Sequence, residues 1–234
     1  MKVWLTRSQP GADRQAAELR SAGHRVLVAP VIEIEPVAVD PPARAPAVAV
    51  FLSEHAVRFG LAVLQRQPWF AGVRVLAVGA RTAALLDAAG VTVSAPDVAT
   101  SEGLLALPEL APDRAGDVLL VSGVGGRELL ATELARRNRR FQQLACYRRR
   151  AVARMDASVL DCDVVIAASG EGLRQAARLW LDLGGRREIP VLVPSQRVAE
   201  LAVAVGLTRL HDCGGADSAA WLGGLARLQE AGVL

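Results

Sequence analysis

Lysine is almost missing from this 234-residue chain: Lys2 is the only one, and every other basic residue is arginine. The formal net charge of +3 therefore rests on groups that grip carboxylate or phosphate through paired hydrogen bonds. Most of these arginines read as solvated surface, yet an anionic ligand fits the bias. A Walker loop ending in lysine is excluded, because Lys2 stands in the wrong place. Aromatic residues are also scarce. The densest basic cluster, Arg136, Arg137, Arg139 and Arg140, has none interleaved to stack on bases and follows Glu128 and Glu133. It reads as a polar helix end rather than a nucleic-acid surface. Cysteine is limited to Cys146, Cys162 and Cys213, an odd count without CxxC spacing, which implies reduced, buried, structural thiols. His24, His55 and His211 are too scattered for a metal pattern. No apolar run approaches the ~20 residues a membrane span needs. Polar Thr6, Arg7 and Ser8 follow Met1–Leu5 directly, so no signal peptide is expected. There is no G-x-S-x-G elbow, and in SGVGGRE the third glycine position of a dinucleotide loop holds Glu128. What is left is chemistry without metal, nucleotide or covalent nucleophile, in a cytoplasmic protein.

What the chain does have is rhythm. Strand, turn and helix recur as Val3–Thr6 with Ala12–Ala22, Ala47–Leu52 with Ala56–Leu64, and Val73–Val78 with Arg81–Ala89. The second half repeats it: Val118–Val121 with Arg127–Arg136, Val164–Ala168 with Gly172–Leu183, and Val191–Val193 with Arg197–Val205. Such alternation, rich in Ala, Val and Leu, predicts α/β architecture with doubly wound parallel sheets. Gly23, Gly90 and Gly206 fall where helices should end, as left-handed caps.

The halves also resemble each other. A shift of 116 residues lays Val75–Thr92 over Val191–Thr208 without a gap, with eight of eighteen positions identical, Arg81 with Arg197 and Gly90 with Gly206 among them. The same shift puts Ser53 on Ser169 and Arg58 on Arg174, while a shift of 115 puts Leu5 on Leu120, Gly11 on Gly126 and Glu18 on Glu133. Three windows at nearly one offset argue for a duplicated unit, two similar sheets and a cleft between them. The sequence alone leaves consecutive and interleaved domains equally open.

Ligands of parallel sheets bind beyond the carboxyl ends of the strands, where helix N-termini offer free N–H groups. Those turns read TRSQPG, LSEHA, VGART, TSEG, SGVGGRE, ASGEG and PSQR. Each alone is an ordinary N-cap; together they offer an array of anion-binding donors.

The run SGVGGRELLATELARRNRRFQQLACYRR, Ser122 to Arg149, resembles the signature stretch of uroporphyrinogen-III synthases: a strand, a Gly-Gly-Arg turn, a helix and a strand ending in Tyr-x-Arg. LTRSQPG, VIEIEPV, SEHAV, AVGARTAALL, TSEGLLALPEL and ASGEGL are similar to the same family, in the same order, over nearly the whole chain. The resemblance implies two similar doubly wound parallel-sheet domains joined by a two-strand linker, with the active site in the cleft. It also implies interleaving, with residues 1–34 and 150–234 forming one domain, 38–146 the other, and linkers near 33–38 and 146–152. It implies a reaction: hydroxymethylbilane, a linear tetrapyrrole with eight carboxylates, closes to uroporphyrinogen III with ring D inverted and water lost, without a cofactor.

On that resemblance the site residues follow. Tyr147, the chain's only tyrosine, matches the family's Tyr-x-Arg position and is the expected proton donor. Thr82 matches a threonine beside the substrate, Ser169 a serine of the family's S-x-S-G turn, and Arg7 its T-R-P arginine. The remaining expected substrate contacts are Ser53, Ser101, Gly123, Gly126, Arg127, Gly170, Ser195 and Arg197. Two departures stand out. Ser122 occupies a place where many members carry arginine, and Pro194–Val198 replaces a Gly-x-Thr-Ala turn, where Arg197 can supply a charged contact instead. The expected partners are the substrate and, transiently, the preceding pathway enzyme; a monomer is expected, with no nucleic acid and no membrane. The competing readings are a two-domain ligand-binding module and a glycosyltransferase-like protein for an anionic ligand. Neither brings its expected mark: no signal peptide or DNA-binding region, and no acidic sugar contact at a strand end.

Overall fold

The computed structural model describes residues 1–126 and 128–232, without the side chains of 128, 202 and 203. It divides into two compact units, one of residues 1–33 with 150–234 and one of residues 34–149. Here they are called the outer and the inner unit, after their order in the chain.

The inner unit holds a six-stranded sheet. Its strands are β3 (Ile32–Pro36), β4 (Val48–Phe51), β5 (Arg74–Ala77), β6 (Val93–Ser94), β7 (Val118–Gly123) and β8 (Phe141–Ala151), in the order β3-β8-β7-β4-β5-β6. β4 to β8 run parallel. β3 does not: Val37 N–H bonds Cys146 O and Val152 N–H bonds Val31 O, so numbers rise along β3 as they fall along β8. These two strands carry the chain from one unit to the other and back. Glu35 pairs with Arg148 and Glu33 with Arg150 across them.

Burial on both faces explains the apolar strands. All four residues of β4 are buried. Ala49 and Phe51 join the core under α2 (Glu54–Gln65) and α3 (Ala80–Ala88), whereas Val48 and Val50 join Leu104, Leu130 and Leu134 of α4 (Ser101–Leu105) and α5 (Glu128–Arg136). Alternation with period two thus divides one strand between two helical layers.

The outer unit holds β1 (Lys2–Leu5), β2 (Arg25–Val28), β9 (Val164–Ile166), β10 (Pro190–Val193) and β11 (Arg209–Asp212), ordered β11-β10-β9-β1-β2 and all parallel. Reading β6, β5, β4, β7, β8 against β11, β10, β9, β1, β2 gives the same order, as the sequence repeat implies. α1 (Gly11–Ser21) and α8 (Ser218–Glu230) bury Ala12, Ala16, Leu19, Trp221, Leu225 and Leu228 on Val3, Leu5 and Ile166. α6 (Gly170–Asp182) and α7 (Gln196–Val203) complete the unit, and Trp180 of α6 stacks on Trp4 at 6.2 Å. The expected helix ends appear at Gly23 and Gly90, with φ of +87° and +76°.

The arginine cluster lies at and just beyond the end of α5, and within it Arg139 is buried, its Nη1 donating to the carbonyls of Ala111 and Arg114. Arg137 donates to Leu105 O at 2.7 Å and Leu110 O at 3.3 Å. These arginines follow α5 and satisfy carbonyls at the last residue of α4 and in the turns after it, work suited to a long multi-donor side chain.

Candidate active site

In the inner unit the parallel register gathers the expected residues at one edge. Phe51 of β4 lies level with Ala77 of β5 and Val121 of β7, and Gly123 of β7 lies level with Tyr147 of β8. Ser53, Thr82, Ser101 and Gly126 follow the carboxyl ends of β4, β5, β6 and β7 within a few residues. Ser53 is the N-cap of α2, and its Oγ accepts from Ala56 N–H at 3.0 Å. Thr82 is buried in the first turn of α3, whose N-cap Gly79 supplies no side-chain cap. Ser101, also buried, opens α4 behind its N-cap Thr100.

Tyr147 lies within β8, the strand between β3 and β7 in the sheet. A register shift between Ser122 and Gly123 sets it opposite Gly123, and Val124 N–H bonds its carbonyl at 2.7 Å. The phenol ring lies so close to Gly123 that a Cβ there would meet Tyr147 Cε2 at 2.6 Å and Cζ at 2.7 Å. The His55 and Phe59 rings lie near it, with centroids at 5.4 and 6.2 Å. Only 4 % of Tyr147 is exposed. Its hydroxyl lies 3.0 Å from Ser53 Oγ, and that distance makes the two one hydrogen-bonded unit.

The Gly-rich turn beyond β7 closes with Gly126 N–H on Gly123 O at 3.0 Å, around Gly125 with its φ of +68°. Gly126 has no room for a side chain: a Cβ would stand 2.9 Å from Gly123 O and 3.1 Å from Ser122 Oγ. Ser122 is buried and turns its hydroxyl onto Gly123 O. Arg127 lies outside the described residues.

The outer unit's edge collects the other expected residues. Leu5 of β1 is level with Ile166 of β9, which is level with Leu192 of β10, so Arg7, Ser169, Gly170, Ser195 and Arg197 follow adjacent strand ends. Ser169 caps α6 by accepting Gly172 N–H at 3.1 Å, as Ser53 caps α2. Ser195 begins α7 through its carbonyl, which accepts from Val198 and Ala199. Ser169 and Arg197 are exposed, and Ser195 is partly so. Arg7 packs its guanidinium over Gly11 at the start of α1, so a side chain at that position would have to push the arginine aside.

Sequence reasoning missed three things here. The bond from Ser53 to Tyr147 spans 94 residues and leaves no local trace. His55, weighed in the sequence only as a metal ligand, packs on the tyrosine. The hydroxyl of Ser122 had no assigned place. All three cysteines are free thiols, raised to about 11 chiefly by burial, and so are uncharged at neutral pH. Among the described residues, no three His, Cys, Asp or Glu side chains gather around a common point where a metal ion could sit. No helix among them is long and apolar enough to cross a membrane.

Comparison with known proteins agrees on one family. The model for uroporphyrinogen-III synthase HemD matches residues 13–211. The uroporphyrinogen-III synthase of Salmonella typhimurium is 31 % identical over 95 % of this chain and 98 % of its own length, and that of Escherichia coli is 30 % identical over the same shares. Among solved structures, uroporphyrinogen-III synthetase from Helicobacter pylori superposes with a TM-score of 0.68 at 16 % identity, covering 97 % of this chain and 99 % of that one. A variant of the Thermus thermophilus enzyme superposes with a TM-score of 0.59 at 18 % identity, covering 98 % and 99 %. These two carry the fold, and the sequence matches carry the family. With residues 13–211 matched by the family model and 95 % of its length covered by a relative 31 % identical, the chain belongs to the uroporphyrinogen-III synthase family.

Proposed function

We infer that this chain converts hydroxymethylbilane to uroporphyrinogen III, inverting ring D and releasing water, in the biosynthesis of haem, sirohaem and cobalamin. The observation that carries the reading is the family match across residues 13–211. The reaction demands two things of a protein. It must hold a flexible octacarboxylate in one folded conformation, and it must help a hydroxyl leave.

For holding, we assign the turns at the carboxyl edge of each sheet, taken unit by unit. In the inner unit these are Ser53, Thr82, Ser101, Gly123, Gly126 and Arg127; in the outer unit they are Arg7, Ser169, Gly170, Ser195 and Arg197. Helix N-termini and glycine turns favour carboxylates through N–H groups and the helix dipole, and arginine adds charge-assisted bonds. For leaving, we assign Tyr147 as proton donor. Departure of the hydroxyl produces an azafulvene, the substituted end of the last ring attacks, and a spiro intermediate breaks and recloses with that ring inverted. The unaided chain closes instead at the free α-position, giving the type I isomer. A hundredfold preference for type III needs only ~2.7 kcal/mol between the two transition states, within reach of a few such contacts. The two compact units serve as the two domains, with linkers at 33–38 and 146–152. The protein works as a monomer in the cytoplasm without a cofactor, and takes its unstable substrate in transient contact with the preceding enzyme.

The test is direct. Purified protein incubated with hydroxymethylbilane should consume it faster than the spontaneous reaction and give type III, identified by chromatography of the oxidised porphyrins. Type I at the uncatalysed rate would overturn the reading.

A further inference from the structure

The pair formed by Ser53 and Tyr147 carries a division of labour that assigning the tyrosine alone does not contain. Tyr147 is enclosed. Gly123 lies against Cε2 and Cζ, the His55 and Phe59 rings lie near the ring, and 4 % of the residue is exposed. Ser53, bonded to the phenol at 3.0 Å, is partly exposed at the start of α2. Of the two hydroxyls, the serine is the better placed to meet a ligand outside the sheet.

Valence strengthens the case. A serine hydroxyl has two acceptor lone pairs and one proton to give. Ala56 N–H occupies one lone pair at 3.0 Å. If Tyr147 donates to the other, the serine proton has no partner left within the pair and can point outward. A hydroxyl accepting two hydrogen bonds, one of them from a helix N-terminus, is also polarised toward donation.

We propose that Ser53 is the group that protonates the departing hydroxyl and that Tyr147 acts behind it as the proton source. This rests on the activity proposed above. As the C–O bond breaks, its electron pair leaves with oxygen, which takes the Ser53 proton and departs as water. Ser53 in turn takes the phenolic proton of Tyr147. The tyrosinate is reprotonated by the proton that the attacking pyrrole sheds when it regains aromaticity. Substrate becomes product plus water with no net proton change.

The experiment compares Ser53→Gly, Ser53→Thr, Tyr147→Phe and the Gly/Phe double variant, all supplied with hydroxymethylbilane. Glycine is chosen because it caps helices almost as well as serine, so α2 stays formed; melting temperatures check this. Ser53→Gly should lose ~10²-fold in turnover, the lower range for general-acid assistance, and at least as much as Tyr147→Phe. The double variant should fall no further than Ser53→Gly, since the two protons move in series. Ser53→Thr should recover most of the loss. In mixtures of light and heavy water, the wild type should give a curved dependence of rate on deuterium fraction, and Tyr147→Phe a straight one. A crippled Tyr147→Phe beside a fully active Ser53→Gly overturns the relay and leaves Tyr147 as the direct donor. Additive losses in the double variant also overturn it. If neither single variant slows type III formation, both the relay and the role of Tyr147 fall while the activity stands. Only a wild type that makes no type III defeats the activity itself.

Discussion

The two sheets share one strand order but treat their carboxyl edges differently. On the inner edge Thr82, Ser101, Ser122 and Tyr147 are all buried, and Ser53 and Tyr147 bond to each other. On the outer edge Ser169 and Arg197 are exposed, and the buried hydroxyl, Thr6, is spent on the carbonyl of Ile166 at 2.8 Å. A buried hydroxyl with a hydroxyl partner is held in place and still has a proton to move. An exposed arginine offers charge with little positional constraint. The inner edge thus presents mostly enclosed hydroxyls, and the outer edge exposed polar and charged groups.

The sharpest way to break this comparison is Gly123→Val. The added side chain would displace the Tyr147 ring, so turnover should fall roughly 10³-fold, misplacement adding to lost proton donation. Overpacking should also cost ~1–3 kcal/mol of stability in denaturant titration. A valine variant with near-normal turnover would mean that the tyrosine's position does not matter. Thr82→Val comes next. It keeps shape and removes one hydroxyl, so turnover should fall ~10-fold or somewhat more, the worth of a hydrogen bond to a charged group. The type I share of product should rise in step; slow turnover with pure type III would remove Thr82 from substrate folding. Arg197→Ala tests the outer edge. An exposed contact of roughly 0.2–1 kcal/mol should raise KM by less than ~5-fold, with kcat and melting temperature unchanged. A large fall in kcat would place chemistry on the outer edge as well.

The smallest effect is one the units should share. Cys146 belongs to the inner unit, Cys162 and Cys213 to the outer, and burial raises all three to about 11 from an ordinary value of 9.0. A raised thiol keeps its proton longer when folded. The stabilisation is therefore full below about pH 9 and is lost as pH climbs toward 11. Denaturation curves followed across that window should show both units weakening together, and native thiols should resist alkylation at about pH 8. Rapid labelling at neutral pH would contradict their burial.

The sequence made the repeating part of this molecule legible, and for a physical reason. β4 with α2, or β10 with α7, is a local unit whose apolar residues recur with the period of its own structure. α8 escaped because Gly223 and Gly224 interrupt its pattern; yet Gly224 is a contact point, where a Cβ would meet Cys213 Sγ at 2.4 Å. The run Arg148–Arg150 looks like a linker, while β8 continues to Ala151 with its arginines exposed. The turns could be read as caps from their residues. The pairing of Ser53 with Tyr147 depends on a register shift between two neighbouring strands, and no window of sequence contains it.

The place of β1 has a consequence for how the chain comes off the ribosome. β1 lies between β2 and β9, so it has one neighbour that cannot exist until residue 164 has been made. Residues 34–149 are by then complete and can fold as an uninterrupted stretch. Meanwhile Val3, Trp4 and Leu5, wholly buried at the end, must wait with an open side. Synthesis at ~5–20 residues per second makes that wait some ten seconds or more. A chain halted before residue 164 would therefore leave β1 with only β2 beside it.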